Sequence, residues 1–111
     1  MRSSEILSVQ AGGVGVLQRH MPFIDGTFII SVFPISPNEE YQLSSTFKAV
    51  LKWSPNGKYW ITEPITEGSI TSDGESLVTI IQAPNIKVEV TNNSVADQKY
   101  YVSIASVETA S

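Results

Sequence analysis

Alternating apolar and polar positions dominate the last third of the chain. Ile86, Val88 and Val90 alternate with Lys87, Glu89 and Thr91; after a polar stretch, Tyr100, Val102 and Ile104 alternate with Tyr101, Ser103 and Ala105. Successive side chains of a strand point to opposite faces, so each run predicts a half-buried strand. Two such strands need a second layer over their apolar faces. The same signal recurs upstream. Thr27 to Phe33 is rich in aromatic and β-branched residues and is stopped by Pro34 and Pro37. From Thr46 to Ser54, the residues Phe47, Ala49, Leu51 and Trp53 share one face, and Lys48, Val50 and Lys52 take the other. Asn56-Gly57 tolerates the positive φ angles of a hairpin turn, and Tyr59 to Thr62 returns beside the first strand. Ile65 to Thr71 is read as a further short strand. Ser76 to Gln82 carries Leu77, Val78, Ile80 and Ile81, a nearly continuous apolar run that predicts burial on both faces.

Turn signals at Asp25-Gly26, Asn56-Gly57, Asp73-Gly74 and Ala83-Pro84-Asn85 punctuate these runs. Their spacing, on the order of ten residues, predicts an all-β, two-sheet antiparallel sandwich. About eight strands suit a jelly-roll-like arrangement and about seven an immunoglobulin-like one. No stretch has a helical period.

Residues 1–21 differ in character from the rest of the chain. Ile6, Leu7 and Val9 could form a short strand, but Ala11-Gly12-Gly13-Val14-Gly15 is too glycine-rich to hold a conformation alone. Two readings stay open. One is an N-terminal arm that docks on a neighbouring subunit through Ile6, Leu7, Val9, Val14, Val16 and Leu17, preceding a sandwich domain at 22–111. The other is a first strand followed by a loose loop.

Composition narrows the function. At 111 residues the chain is one domain. Seven basic against eleven acidic residues give a net charge of −4, with no basic patch to displace counterions from phosphates, so no nucleic-acid partner is expected. The absence of cysteine removes disulfides and thiolate metal sites. Residues 1–10 hold no long apolar run, so no signal peptide is expected, and nothing approaches the roughly 20 apolar residues of a membrane span.

Candidate chemistry is sparse. His20 is the only histidine, which leaves a serine triad or a zinc site without ordinary partners, and no Gly-x-Ser-x-Gly elbow occurs. Glu39-Glu40, Glu63 with Glu67, and Asp73 with Glu75 read as solvated loop carboxylates rather than a glycosidase pair. Gly12-Gly13-Val14-Gly15 lacks the Gly-Lys-Ser/Thr of a phosphate loop. Asn92-Asn93-Ser94 fits the glycosylation pattern and is read as accidental. Trp53, Tyr59 and Trp60 flank the Asn56-Gly57 turn and are either core or interface residues or a sugar-stacking platform. No catalytic residue, metal or cofactor is expected, and the chain is read as a non-enzyme.

The segment Ala83-Pro84-Asn85-Ile86-Lys87-Val88-Glu89-Val90-Thr91-Asn92, followed by Tyr100-Tyr101-Val102-Ser103-Ile104-Ala105, resembles the closing strands of small all-β virion proteins of tailed bacteriophages. The size, acidity and lack of cysteine are similar to those of capsid decoration, or cement, proteins. The resemblance covers about the last quarter of the chain. It implies a jelly-roll-like homotrimer on the capsid exterior, made in the host cytoplasm, which clamps major capsid protein subunits through its arm and its sandwich. The alternative is a tail, fibre or carbohydrate-binding β-sandwich module.

Overall fold

The computed structural model describes residues 2–20, 26–38, 40, 45–66, 70–72, 74–81 and 84–107. The strands are β1 (Arg2–Val9), β2 (Val14–His20), β3 (Gly26–Ile35), β4 (Ser45–Ser54), β5 (Ile61–Pro64), β6 (Ile70–Ser72), β7 (Glu75–Ile81), β8 (Asn85–Asn92) and β9 (Gln98–Ser106). Among the described residues there is no helix. The order β1-β9-β3-β7 forms one sheet and β2-β8-β4-β5 the other, with β6 also pairing along β4. All the pairings are antiparallel. Since β5 and β6 share β4, opposite β8, the architecture is that of an eight-stranded jelly roll with one edge strand split in two.

Apart from β4, β5 and β6, which share a sheet, consecutive strands alternate between sheets, so the two C-terminal strands cover each other. β8 lies inside one sheet and β9 inside the other. The inward residues Ile86, Val88 and Val90 of β8 and Tyr100, Val102 and Ile104 of β9 are fully buried. They meet Phe28, Ile30 and Val32 of β3 and Phe47, Ala49 and Leu51 of β4 in one core. Tyr100 stacks obliquely on Phe47 at 5.3 Å between ring centroids. Its hydroxyl lies 3.1 Å from Ser45 Oγ, which satisfies the one polar atom this ring carries into the interior. Burial raises the phenol's pKa above its ordinary 10.0, and the Ser45 hydrogen bond opposes the shift.

Two expectations are corrected. Residues 1–21 are not a separate arm before a domain at 22–111. β1 pairs with β9 along its whole length, β2 pairs with β8, and Leu7, Val9 and Leu17 belong to the core. The glycines work as a turn and a close contact, not as a flexible tether. Gly12 takes φ 75° in the β1–β2 turn. A Cβ on Gly15 would stand 2.6 Å from Val9 Cγ2, so only a hydrogen fits where β2 passes over β1. Buried Asn92 ties this turn to the rest of the sandwich. Its amide donates to Val9 O (3.1 Å) and Ala96 O (2.9 Å), and its backbone pairs with Gly12 and Gly13. Asn92 is thus no glycosylation acceptor in the folded chain.

The second correction concerns β7. It is an edge strand, and its outward side is open: Val78 and Ile80 are 63% and 61% exposed, while Leu77 and Ile81 turn inward. The hairpin around Asn56-Gly57 is present, with β5 beginning at Ile61 and Gly57 at φ 75°. Asp25, Glu39, Tyr41, Leu43, Glu67, Asp73 and Ala83 lie outside the described residues.

Candidate binding surfaces

The outer face of the five-stranded sheet collects the polar halves of the alternating strands. Register sets Lys48 beside Thr91 and Val14, Val50 beside Glu89 and Val16, and Lys52 beside Lys87 and Gln18. Two lysines directly opposite each other disfavour pairing, and here each turns to a different partner. Lys52 Nζ bonds Glu89 Oε1 at 2.7 Å, and Lys87 Nζ sits 4.3 Å above the Trp60 ring. Lys48, Val50, Lys52, Thr62, Glu89 and Thr91 line a groove of about 300 Å³ across this face. Among the described residues this face carries three lysines to one glutamate, an excess of positive charge on a chain of net charge −4.

Trp53, Tyr59 and Trp60 do not form one platform. Trp53 continues the inward row of β4, packs against the core and donates from Nε1 to Glu63 Oε2 at 3.4 Å. Tyr59 stands 67% exposed at the turn, with Lys58 Nζ 5.2 Å from its ring. Trp60 alone borders the groove face. The turn itself is stiff: Asn56 Oδ1 accepts from the amides of Lys58 (2.9 Å) and Tyr59 (3.0 Å), and Ser54 Oγ accepts from Gly57 (2.8 Å).

The six partner-binding candidates are dispersed as well. Leu7, Val9 and Leu17 are buried in the core. Ile6, at 38% exposure, faces outward from the four-stranded sheet, and Val14 (55%) and Val16 (43%) face outward from the other. An even spacing of apolar residues belongs here to two strands of different sheets.

A cleft of about 400 Å³ opens at one end of the sandwich, where Ser8, Val9 and Gln10 meet Ile35, Pro37, Asp97, Gln98 and Lys99. Its polar groups serve the backbone. Asp97 Oδ1 accepts from Ala11 N (3.0 Å), and Gln98 Nε2 donates to Ile35 O (2.7 Å). Among the described residues that line it there is a single carboxylate, Asp97, and so no acid–base pair.

The carboxylates expected in loops include one that is built in. Glu63 sits on β5 and accepts from Thr79 Oγ1 across to β7 at 3.1 and 2.9 Å. On the opposite edge of the sandwich Glu5 accepts from Arg19 Nη2 at 3.1 Å, joining β1 to β2. His20 is exposed and meets Asn85 Oδ1 at 2.9 Å. Among the described residues no three of His, Asp and Glu gather as a metal-holding group.

No protein-family model matches the chain, and no curated protein matches it. Similar solved structures do exist. The Yersinia pseudotuberculosis-derived mitogen superposes with TM-score 0.67 at 12% identity, over 100% of this chain and 90% of that one. PirA superposes with TM-score 0.51 at 13% identity, over 91% and 92%. The CBM22-1 xylan-binding domain of Paenibacillus barcinonensis Xyn10C gives TM-score 0.47 at 10% identity, over 93% and 70%. The mitogen and PirA share the fold of this chain; at such identities the likeness extends no further.

Sequence reasoning missed the groove residues other than through their strands. The signal was available in the outward positions of two strands, but which strands lie side by side is set by topology.

Proposed function

We propose that the chain is a non-enzymatic β-sandwich recognition module for carbohydrate, working through the outer face of the five-stranded sheet. The observation that supports this reading is the groove on that face. Lys48, Lys52, Thr62, Glu89 and Thr91 offer donors and acceptors around the apolar Val50, and Trp60 stands alongside under Lys87. A sugar presents hydroxyls at its rim and an apolar face between them, so a mixed polar surface with an aromatic neighbour is the complement it requires. The lysine excess favours glycans that carry acidic groups. The groove lies on paired strands rather than on loops, so little ordering is lost on binding.

Amide NMR titration with neutral and acidic oligosaccharides tests this. The expected perturbations lie at Lys48, Val50, Lys52, Thr62, Glu89 and Thr91. Lys48→Ala and Trp60→Ala should each weaken binding about tenfold or more without lowering the melting temperature. Titrations that leave this face unperturbed would exclude the reading.

A second reading is a capsid decoration protein of a phage particle that clamps major capsid protein subunits. Its support is the resemblance carried by β8 and β9 and the charge-poor outer face of the four-stranded sheet, which suits protein contact. Without a detached arm, the clamp would have to be the sandwich itself. Co-sedimentation with purified shells, and its loss on Ile29→Lys, is the corresponding test.

A further inference from the structure

We propose that the groove on the five-stranded sheet reads one isolated anionic group on an otherwise neutral glycan, and reads it at Lys48. The inference rests on the carbohydrate reading of this face. It adds the charge pattern of the ligand and the direction in which it lies.

Register arranges the charges. On β4, Lys48 and Lys52 stand on either side of Val50, and Val50 is opposite Glu89 of β8. Glu89 is therefore diagonal to both lysines and within reach of either. It goes to Lys52, at 2.7 Å. The third lysine, Lys87, is opposite Lys52 and lies over the Trp60 ring. Lys48 is left over. It is exposed, and among the described residues its ammonium has no hydrogen-bond, ion-pair or aromatic partner. Thr91, beside it in register, adds a hydroxyl to the same end of the groove.

The two ends of the groove thus differ in chemistry. One offers an unanswered positive charge, the other an aromatic ring. Lys48 and Lys52 are four residues apart on one strand, so the ends lie roughly 13 Å apart at about 3.3 Å per residue. Between them Val16, Glu89, Val50 and Pro64 cross the sheet in one row, apolar but for the single carboxylate.

Three features select the ligand. First, one free cation matches one anionic substituent, a carboxylate or a sulfate ester. Second, Glu89 sits mid-groove. Lys52 neutralises it and leaves no surplus, so a second anionic group there would meet no cation, and the net charge of −4 opposes a polyanion as a whole. Third, the span between the ends exceeds one sugar ring. The occupant is an oligosaccharide with its acidic sugar at Lys48 and a neutral sugar toward Trp60.

The test is calorimetry and amide NMR on the full chain with three forms of one probe. These are a gluco-oligosaccharide ending in a single uronic acid, the same chain with that carboxyl reduced to an alcohol, and the reduced chain sulfated once at that position. An anionic form is expected to bind about tenfold more tightly than the reduced form, by a margin that shrinks with added salt. Preference for only one of the two anions supports the proposal and names the anion. Lys48→Met should bring the anionic forms down to the affinity of the reduced one, while Lys87→Met should leave the preference in place. Lys48 is exposed, so melting temperatures should hold; Lys48→Gln serves if the first variant fails to fold. A spin label on the neutral end of the chain should broaden the Trp60 indole and spare Thr91. Equal binding of anionic and reduced forms on this face would overturn the inference and leave the carbohydrate reading standing. So would a preference that survives Lys48→Met, or tighter binding by a densely sulfated chain. If no form perturbs this face, both fall.

Discussion

Thr79 donates its hydroxyl to the carboxylate of Glu63, 3.1 and 2.9 Å from its two oxygens, and so joins β7 of one sheet to β5 of the other. Arg19 and Glu5 make the matching link at the far edge, between β2 and β1. A sandwich leaves its core open along both edges, where strands of the two sheets are not hydrogen-bonded to each other. Here each opening carries a polar clasp.

The Thr79–Glu63 clasp is measurable as a pair. Thr79→Val is expected to cost about 1 kcal/mol, since it leaves a half-buried carboxylate with fewer donors. In a double-mutant cycle with Glu63→Gln, denaturant unfolding should give a coupling of roughly 0.5 kcal/mol or more. Strict additivity would show the contact to be idle.

The first twenty residues should behave as core. Leu17 is fully buried, and Leu17→Ala is expected to lower stability by about 2–5 kcal/mol. A chain starting after Arg19 would lack both edge strands and expose their neighbours, so it should lose cooperative unfolding. A truncated chain that still melted cooperatively would restore the arm.

Gly15 is a steric requirement without a conformational one. Gly15→Ala should destabilise by about 1–3 kcal/mol, because Val9 is β-branched and cannot swing away from the new methyl. Adding Val9→Ala should then cost less than it does in the native background. Thermal melts of the two single variants and the double decide this.

Tyr100 predicts an alkaline limit. Its folded pKa lies above the unfolded 10.0. The folded state therefore favours the protonated phenol: this contribution is fully present below pH 10.0 and fades as pH rises through the higher folded value. Absorbance titration near 295 nm should show one late, folding-coupled tyrosine. Tyr100→Phe should flatten that part of the stability profile, and removal of the bond to Ser45 should cost about 1 kcal/mol at neutral pH.

Much of the architecture was legible in the residues. The inward sets of β3, β4, β8 and β9 followed from alternation, because a pleated backbone sends neighbouring side chains to opposite faces whatever the rest of the chain does. The turn at Asn56-Gly57 was legible because few residues accept its backbone angles. β7 was misread for a physical reason. A continuous apolar run says that both sides of a strand favour burial, but not whether the same chain supplies both covers. The aromatic trio failed similarly: nearness in sequence put Trp53, Tyr59 and Trp60 together, and the pleat and the turn sent them three ways.

What the sequence determined by itself is local: which residues extend, where the chain turns, and which side of most strands is apolar, all set by sterics and by the period of the backbone. Tertiary structure alone decided that Glu89 stands diagonal to both Lys48 and Lys52, that Lys48 and Thr91 border one groove, and that Leu17 is core. Those relations depend on which strands become neighbours and in what register. Both are settled by packing between residues as far apart as β1 and β9.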